Sequence, residues 1–155
     1  MNRLIYTIFF FLVFFKFDYL SSIENKIIVK VNNEIITSYD LKQTILTTLV
    51  LANQEINQEI VNQSKPVALK ALINSILKKN EINRFNLAVS EIELNKQLSK
   101  ISGGDIEKFK KKFEINNLNF ELYEDKLKTE LKWRKLILAF IKKKSKLMIK
   151  KLRLN

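Results

Sequence analysis

The sequence predicts a mainly α, multi-helix domain with a small N-terminal β-hairpin, and three observations predict it. Apolar residues recur at three- and four-residue steps over most of the chain beyond residue 38. Alternation at a period of two is confined to one short stretch, residues 27–37. Two sites have the spacing of a helix capping box, Thr37 with Asp40 and Ser90 with Glu93, each just before a helical stripe.

The chain opens on Met1-Asn2-Arg3 and a run at residues 4–15 that is apolar or aromatic except for Thr7, ended by Lys16. A helix of that length reaches about 18 Å, against roughly 30 Å of bilayer hydrocarbon. The run reads as a secretory signal peptide over residues 1–22, with the small-residue site after Ser22, and an uncleaved anchor is the alternative. Export to the periplasm is the expected localisation. The chain has no cysteine, which permits an oxidising compartment without proving one. The remainder, residues 23–155, is enough for one domain.

In the hairpin, Ile27, Val29 and Val31 alternate with polar or edge positions, Asn32-Asn33 tolerates positive φ, and Glu34-Ile35-Ile36 resumes the extended chain. Thr37 and Asp40 then open a helix over about residues 38–53, with the stripe Leu41, Ile45, Leu49 and Ala52. Residues 54–64 are polar and read as the frayed end of that helix or as a loop. Pro66, the only proline, suits the first turn of the next helix, whose stripe is Leu69, Leu72, Ile73, Ile76 and Leu77. Asn86 is placed to end it in the left-handed conformation.

Ser90 and Glu93 open a short helix carrying Leu94, Leu98 and Ile101. Ser102-Gly103-Gly104-Asp105 is a turn, and Asp105 can cap a brief helix with Ile106, Phe109 and Phe113 inward. After Asn116-Asn117 a long helix runs from about Leu118 past Lys142, presenting Phe120, Tyr123, Leu127 and Leu131, then Trp133, Ile137 and Phe140. Residues 142–155 form a basic tail, within which residues 147–154 read as a helix end or as a strand closing the edge of the hairpin.

Formal net charge is +12. Lys, Ile and Asn are abundant while Gly, Pro and Ala are scarce, so the charge reads as AT-rich codon composition spread over solvated faces, and no nucleic-acid partner is expected. Residues 44–52 hold no Lys or Arg, so the helix there offers no basic recognition face. Without His or Cys there is no triad nucleophile and no N/S metal site, and neither metal nor cofactor is expected. The carboxylate pair Glu91 and Glu93 is explained by capping, and Glu121 and Glu124 by a solvated helix face. Gly103-Gly104 lies between helices, which excludes a phosphate-cradling strand-to-helix loop. The reading is that the chain is not an enzyme.

The order of elements resembles the N-terminal domain of SurA-type periplasmic chaperones. The resemblance rests on Val31-Asn32-Asn33-Glu34-Ile35-Ile36-Thr37 running into Asp40-Leu41, on Leu72-Ile73 with Ile76-Leu77, and on Leu87-Ala88-Val89-Ser90-Glu91-Ile92-Glu93. It continues through the glycine turn to Leu118, Phe120, Leu127 and the stretch around Trp133 and Ile137, covering roughly residues 25–140. That family commonly has glycine where Asn86 stands, and its long helix usually leads into parvulin-type prolyl isomerase domains, for which the remaining residues leave no room. The resemblance implies a chaperone domain over residues 23–141 that holds unfolded outer-membrane proteins and lacks the isomerase.

Such a holdase needs an apolar groove with few specific polar demands. Phe109, Phe113, Phe120, Tyr123, Trp133 and Phe140 are the candidate peptide-binding residues, because large flat side chains bury much area at little rotamer cost. At helical spacing each is also a natural core residue, and Trp133 and Phe140 lie off the main stripe. The alternative function is a membrane-anchored, basic helical structural or interaction protein, held by the residues 4–20 segment and touching anionic headgroups through residues 142–153.

Overall fold

The computed structural model describes residues 25–153. Its elements are β1 (Ile27–Val31), β2 (Glu34–Thr37), α1 (Ser38–Leu51), α2 (Gln58–Asn83), α3 (Glu91–Ser102), α4 (Ile106–Ile115) and α5 (Phe120–Arg153). The segment read as a signal peptide lies outside the described residues, as does Leu154.

β1 and β2 pair antiparallel, Val31 opposite Glu34 and Ile27 opposite Thr37, with an irregularity between Ile27 and Val29. Asn32 turns the hairpin at φ 54°, a conformation that asparagine tolerates better than most residues. Ile36 points inward and is buried, whereas Ile27, Ile28 and Ile35 remain exposed. Thr37 ends β2 and caps α1 at once. Its hydroxyl oxygen accepts from the Asp40 N–H at 3.2 Å, and the Asp40 carboxylate accepts from the Thr37 N–H at 2.9 Å, so the strand enters the helix with no linker. The Ser38 N–H donates to the Lys26 carbonyl at 2.7 Å, tying the start of β1 to the same point.

α1 packs on α2 through Ile45, Leu49 and Ala68, with Leu41, Ile60 and Val61 around them. Here the structure corrects the sequence reading. α2 begins at Gln58, capped by the Asn57 side chain accepting from the Ile60 N–H at 2.9 Å, so Pro66 sits inside the helix and not in its first turn. An interior proline costs about 3 kcal/mol in an isolated helix. Burial of Ile60 and Val61 on the α1 cluster opposes that cost, as do the i,i+4 bonds from Gln58 to Asn62 at 3.0 Å and from Gln63 to Glu59 at 3.1 Å. Ala52, expected in the α1 stripe, is exposed, and Leu77 turns outward from α2. Asn86 ends the segment at φ 47°, as read from the sequence.

Both partners of the second capping box make their bonds, Glu93 N–H to the Ser90 hydroxyl and Ser90 N–H to the Glu93 carboxylate. Leu94 and Leu98 are buried, while Ile101 is exposed. Gly103 ends α3 at φ 68° and Asp105 caps α4 by accepting from the Lys108 N–H. Asn117, at φ 52°, reverses the chain into α5, whose first turn is capped by the Asn119 side chain accepting from the Leu122 N–H at 3.1 Å.

A second core centre joins α1, α4 and α5 around Val50, Phe113 and Leu118. Beside it lies Gln43, 8% exposed. Its amide accepts from the Asn119 N–H at 2.9 Å and donates to the Asn117 carbonyl at 3.4 Å, fastening α1 to the α4–α5 turn. Further along α5 the buried residue is Leu136, 3% exposed, and Ile137 is exposed. Trp133 and Leu136 continue the inward row at a three-residue step and leave Ile137 on its flank, while Phe140, four residues on, is already exposed. Residues 147–153 are helix, not a closing strand, and the sheet has two strands among the described residues. Extending an existing helix adds a hydrogen bond per residue with no new nucleus.

Candidate functional site

A cleft of about 470 Å³ opens between α1, α2 and α5. α1 contributes Thr44, Thr47, Thr48 and Leu51, which share a face because they stand at i, i+3, i+4 and i+7. α2 supplies Leu72, Ile76 and Ile82, and α5 supplies Leu122, Tyr123 and Thr129. Two of the threonine hydroxyls are already engaged on their own helices, Thr48 with the Thr44 carbonyl at 2.8 Å and Thr129 with the Asp125 carbonyl at 2.9 Å. Those threonines therefore add methyl surface, and their hydroxyls make little polar demand on an occupant.

The rim is charged. Lys79, Lys126, Lys128 and Lys132 stand with Glu34, Asp40 and Asp125 around the opening. Lys79 reaches Glu34 at 3.3 Å, linking α2 to the hairpin. Lys128 bonds Glu124 at 2.7 Å, which raises its ammonium pKa. Lys126 is an exposed residue by area, yet desolvation of its ammonium lowers its pKa, opposed by Glu130 and helped by Lys78. Burial raises the Tyr123 phenol, so the ring stays neutral at ordinary pH.

The six aromatics singled out from the sequence separate into two groups. Phe109, Phe113, Phe120 and Tyr123 meet as one cluster, with centroid distances of 5.1 Å for Phe113 with Tyr123 and 5.2 Å for Phe113 with Phe120. Phe113 has no exposed surface and is a core ring; of this cluster, Tyr123 faces the cleft. Trp133 lies farther along α5, half-buried, with the Lys78 ammonium 6.0 Å from its ring centroid. Phe140 is 48% exposed and meets Phe85 edge-on at 5.6 Å.

Sequence reasoning missed the α1 side of the cleft. Its signal is the uncharged face Thr44, Thr47, Thr48 and Leu51, which adjoins the core stripe Leu41, Ile45 and Leu49 of the same helix. Among the described residues no three His, Cys, Asp or Glu side chains converge on a possible metal position.

The model of the SurA-like N-terminal domain family matches residues 1–137. The chain is also similar to a protein named Chaperone SurA from Buchnera aphidicola subsp. Schizaphis graminum (strain Sg), with 33% identity over 131 residues, covering 79% of this chain and 30% of that protein. It thus spans under a third of that relative's length. No solved structure matches this chain.

Proposed function

The chain belongs to the SurA-like N-terminal domain family, and on that premise we propose that it is a periplasmic holdase for unfolded outer-membrane proteins, which it grips in the cleft between α1, α2 and α5. The observation that carries this reading is the chemistry of the cleft: a largely apolar lining, two of its four threonine hydroxyls tied to their own helices, and charged side chains around the opening. A segment of an unfolded β-barrel alternates apolar and polar residues. Its apolar side chains gain by leaving water for such a lining, and few buried polar groups on the protein demand a matched partner. Tyr123 is the proposed aromatic contact within the cleft, and Trp133 and Phe140, farther along α5 and outside its lining, are the proposed contacts for the rest of the client. Phe109 and Phe120 back Tyr123, and Phe113 supports that cluster from the core.

The domain holds its client without isomerising it. Prolyl isomerisation crosses a barrier of about 18–20 kcal/mol and needs a shaped, preorganised site, and the chain brings neither histidine nor cysteine to one. Residues 1–22 act as the signal for export, and the cysteine-free sequence tolerates the compartment.

The test is suppression of aggregation of an unfolded β-barrel protein, with the prolyl isomerisation rate of a test peptide followed beside it. Thr47→Glu, which sets an unpaired carboxylate against the apolar lining, should weaken client binding about tenfold, or about 1.4 kcal/mol, with the melting temperature held. Binding by the lining should persist at roughly 0.5 M salt, where contacts between exposed charges are screened. Retention that vanishes in salt, with Thr47→Glu binding normally, would leave a basic surface and no client cleft.

A further inference from the structure

The last helix outruns the body it packs on. Beyond Leu136, Ile137, Leu138, Phe140, Ile141 and Leu147 are 38%, 50%, 48%, 57% and 60% exposed. Phe140 leans on Phe85, which is itself 41% exposed. Ile137, Leu138 and Ile141 gather on one side of the helix at three- and four-residue steps, and Phe140 and Leu147, two turns apart, border that side. Lys142, Lys143 and Lys146 gather on the other. Residues 142–153 hold six lysines and Arg153 with no acidic residue.

A surface that is apolar on one side and cationic on the other, with no counter-charge of its own, narrows the choice of occupant. A second copy of the chain would cover the apolar side, but it would bring two uninterrupted basic runs together. A nucleic acid would take the cations and leave the apolar side wet. An anionic bilayer surface satisfies both, since the apolar row enters the acyl boundary while the lysines meet headgroups. Lys144 lies between the apolar rows, and its long stem lets the ammonium reach headgroup level. No helix among the described residues is long and apolar enough to cross a membrane, so α5 would lie in the surface plane, with residues 137–153 covering about 25 Å.

We propose that residues 137–153 are a membrane-surface helix that seats the domain on anionic phospholipid, apolar side down. The lining of the cleft and this helix face share no residue; Phe140, which borders the face, is the one side chain that the client reading also uses, and no probe is placed there.

The chain contains no cysteine, so a single introduced thiol reports one position. In the 155-residue chain, Ile141→Cys and Leu138→Cys on the apolar side, and Lys146→Cys on the basic side, would each carry an environment-sensitive fluorophore. The three would be mixed with vesicles of phosphatidylcholine alone or with one part phosphatidylglycerol to three, after matching their melting curves to the parent. The proposal expects the Ile141 and Leu138 probes to brighten several-fold and shift to the blue on the anionic vesicles, the Lys146 probe to stay in water, and pure phosphatidylcholine to leave all three unchanged. The reading is taken on α5 itself, so vesicle binding through residues 4–15 with unshifted probes would overturn it. An equal response on neutral vesicles, all three probes shifting together, a shift that grows with protein concentration in the absence of lipid, or one produced by single-stranded RNA alone would each overturn it as well.

Discussion

The two halves of α5 carry similar proportions of apolar and charged residues and live in different environments. As far as Leu136 the helix is tied at nearly every turn. Phe120 and Tyr123 join the aromatic cluster, Glu130 accepts from Lys78 on α2 at 2.6 Å, and Lys135 donates to the Ala88 carbonyl at 2.9 Å and to the Glu93 carboxylate at 2.7 Å. From Ile137 to Leu147 every side chain is exposed. The difference teaches that helix formation and tertiary stability are separate quantities here. Packing fixes the first half, while the second continues on local propensity from a helix already nucleated, and Lys and Leu propagate helices well.

Adjacent substitutions on either side of the boundary should break or sharpen that comparison most clearly. Leu136→Ala is expected to lower unfolding free energy by about 2–5 kcal/mol, and Ile137→Ala by less than about 1 kcal/mol; urea titrations measure both, and equal losses would erase the boundary. Gln43→Leu comes next. It strands the Asn119 N–H and the Asn117 carbonyl in a buried position, at a cost of about 1–3 kcal/mol. Ser90→Ala removes one half of the α3 capping box and should cost about 1 kcal/mol by the same measurement.

A smaller effect is expected from pH. The Lys135 ammonium, then the Ser90 N–H, hold the Glu93 carboxyl below its ordinary value of 4.5. A carboxylate with a depressed folded pKa contributes stability above its unfolded pKa and loses it as pH falls through the folded value. Stability should therefore drop modestly on acidification below the usual carboxylate range, and Glu93→Gln should flatten that part of the profile. The smallest effect belongs to the overhang: deleting residues 142–155 should leave the unfolding free energy from urea titration within about 0.5 kcal/mol of the parent. A large loss there would mean that the free half supports the body.

Features with a local chemical signature were legible in the sequence. The hairpin, both capping boxes, the left-handed Asn86, the glycine turn and the five helices follow from neighbouring residues alone. The start of α2 was not, because Gln58, Glu59, Asn62 and Gln63 give no apolar stripe and the pairs that support them are polar. Nor was the inward turn of Leu136 in place of Ile137, which the angle between α5 and its neighbours decides. The aromatic candidates were found by type. Which of them face outward depends on how α4 folds back against α5, and that arrangement buries Phe113 completely. The cleft itself belongs to three helices at once, and no single stretch of sequence encodes it.

Asn32, Asn53, Asn86 and Asn117 all hold positive φ, between 47° and 54°, at reversals where glycine is the usual solution. Glycine would adopt those angles without strain, but it would also widen the range of shapes open to the unfolded chain, whereas asparagine's Cβ keeps that range narrower. By turning its corners on asparagine and spending only two glycines, the protein reduces the entropy it must surrender on folding, so part of its stability resides in the restricted freedom of its own denatured ensemble.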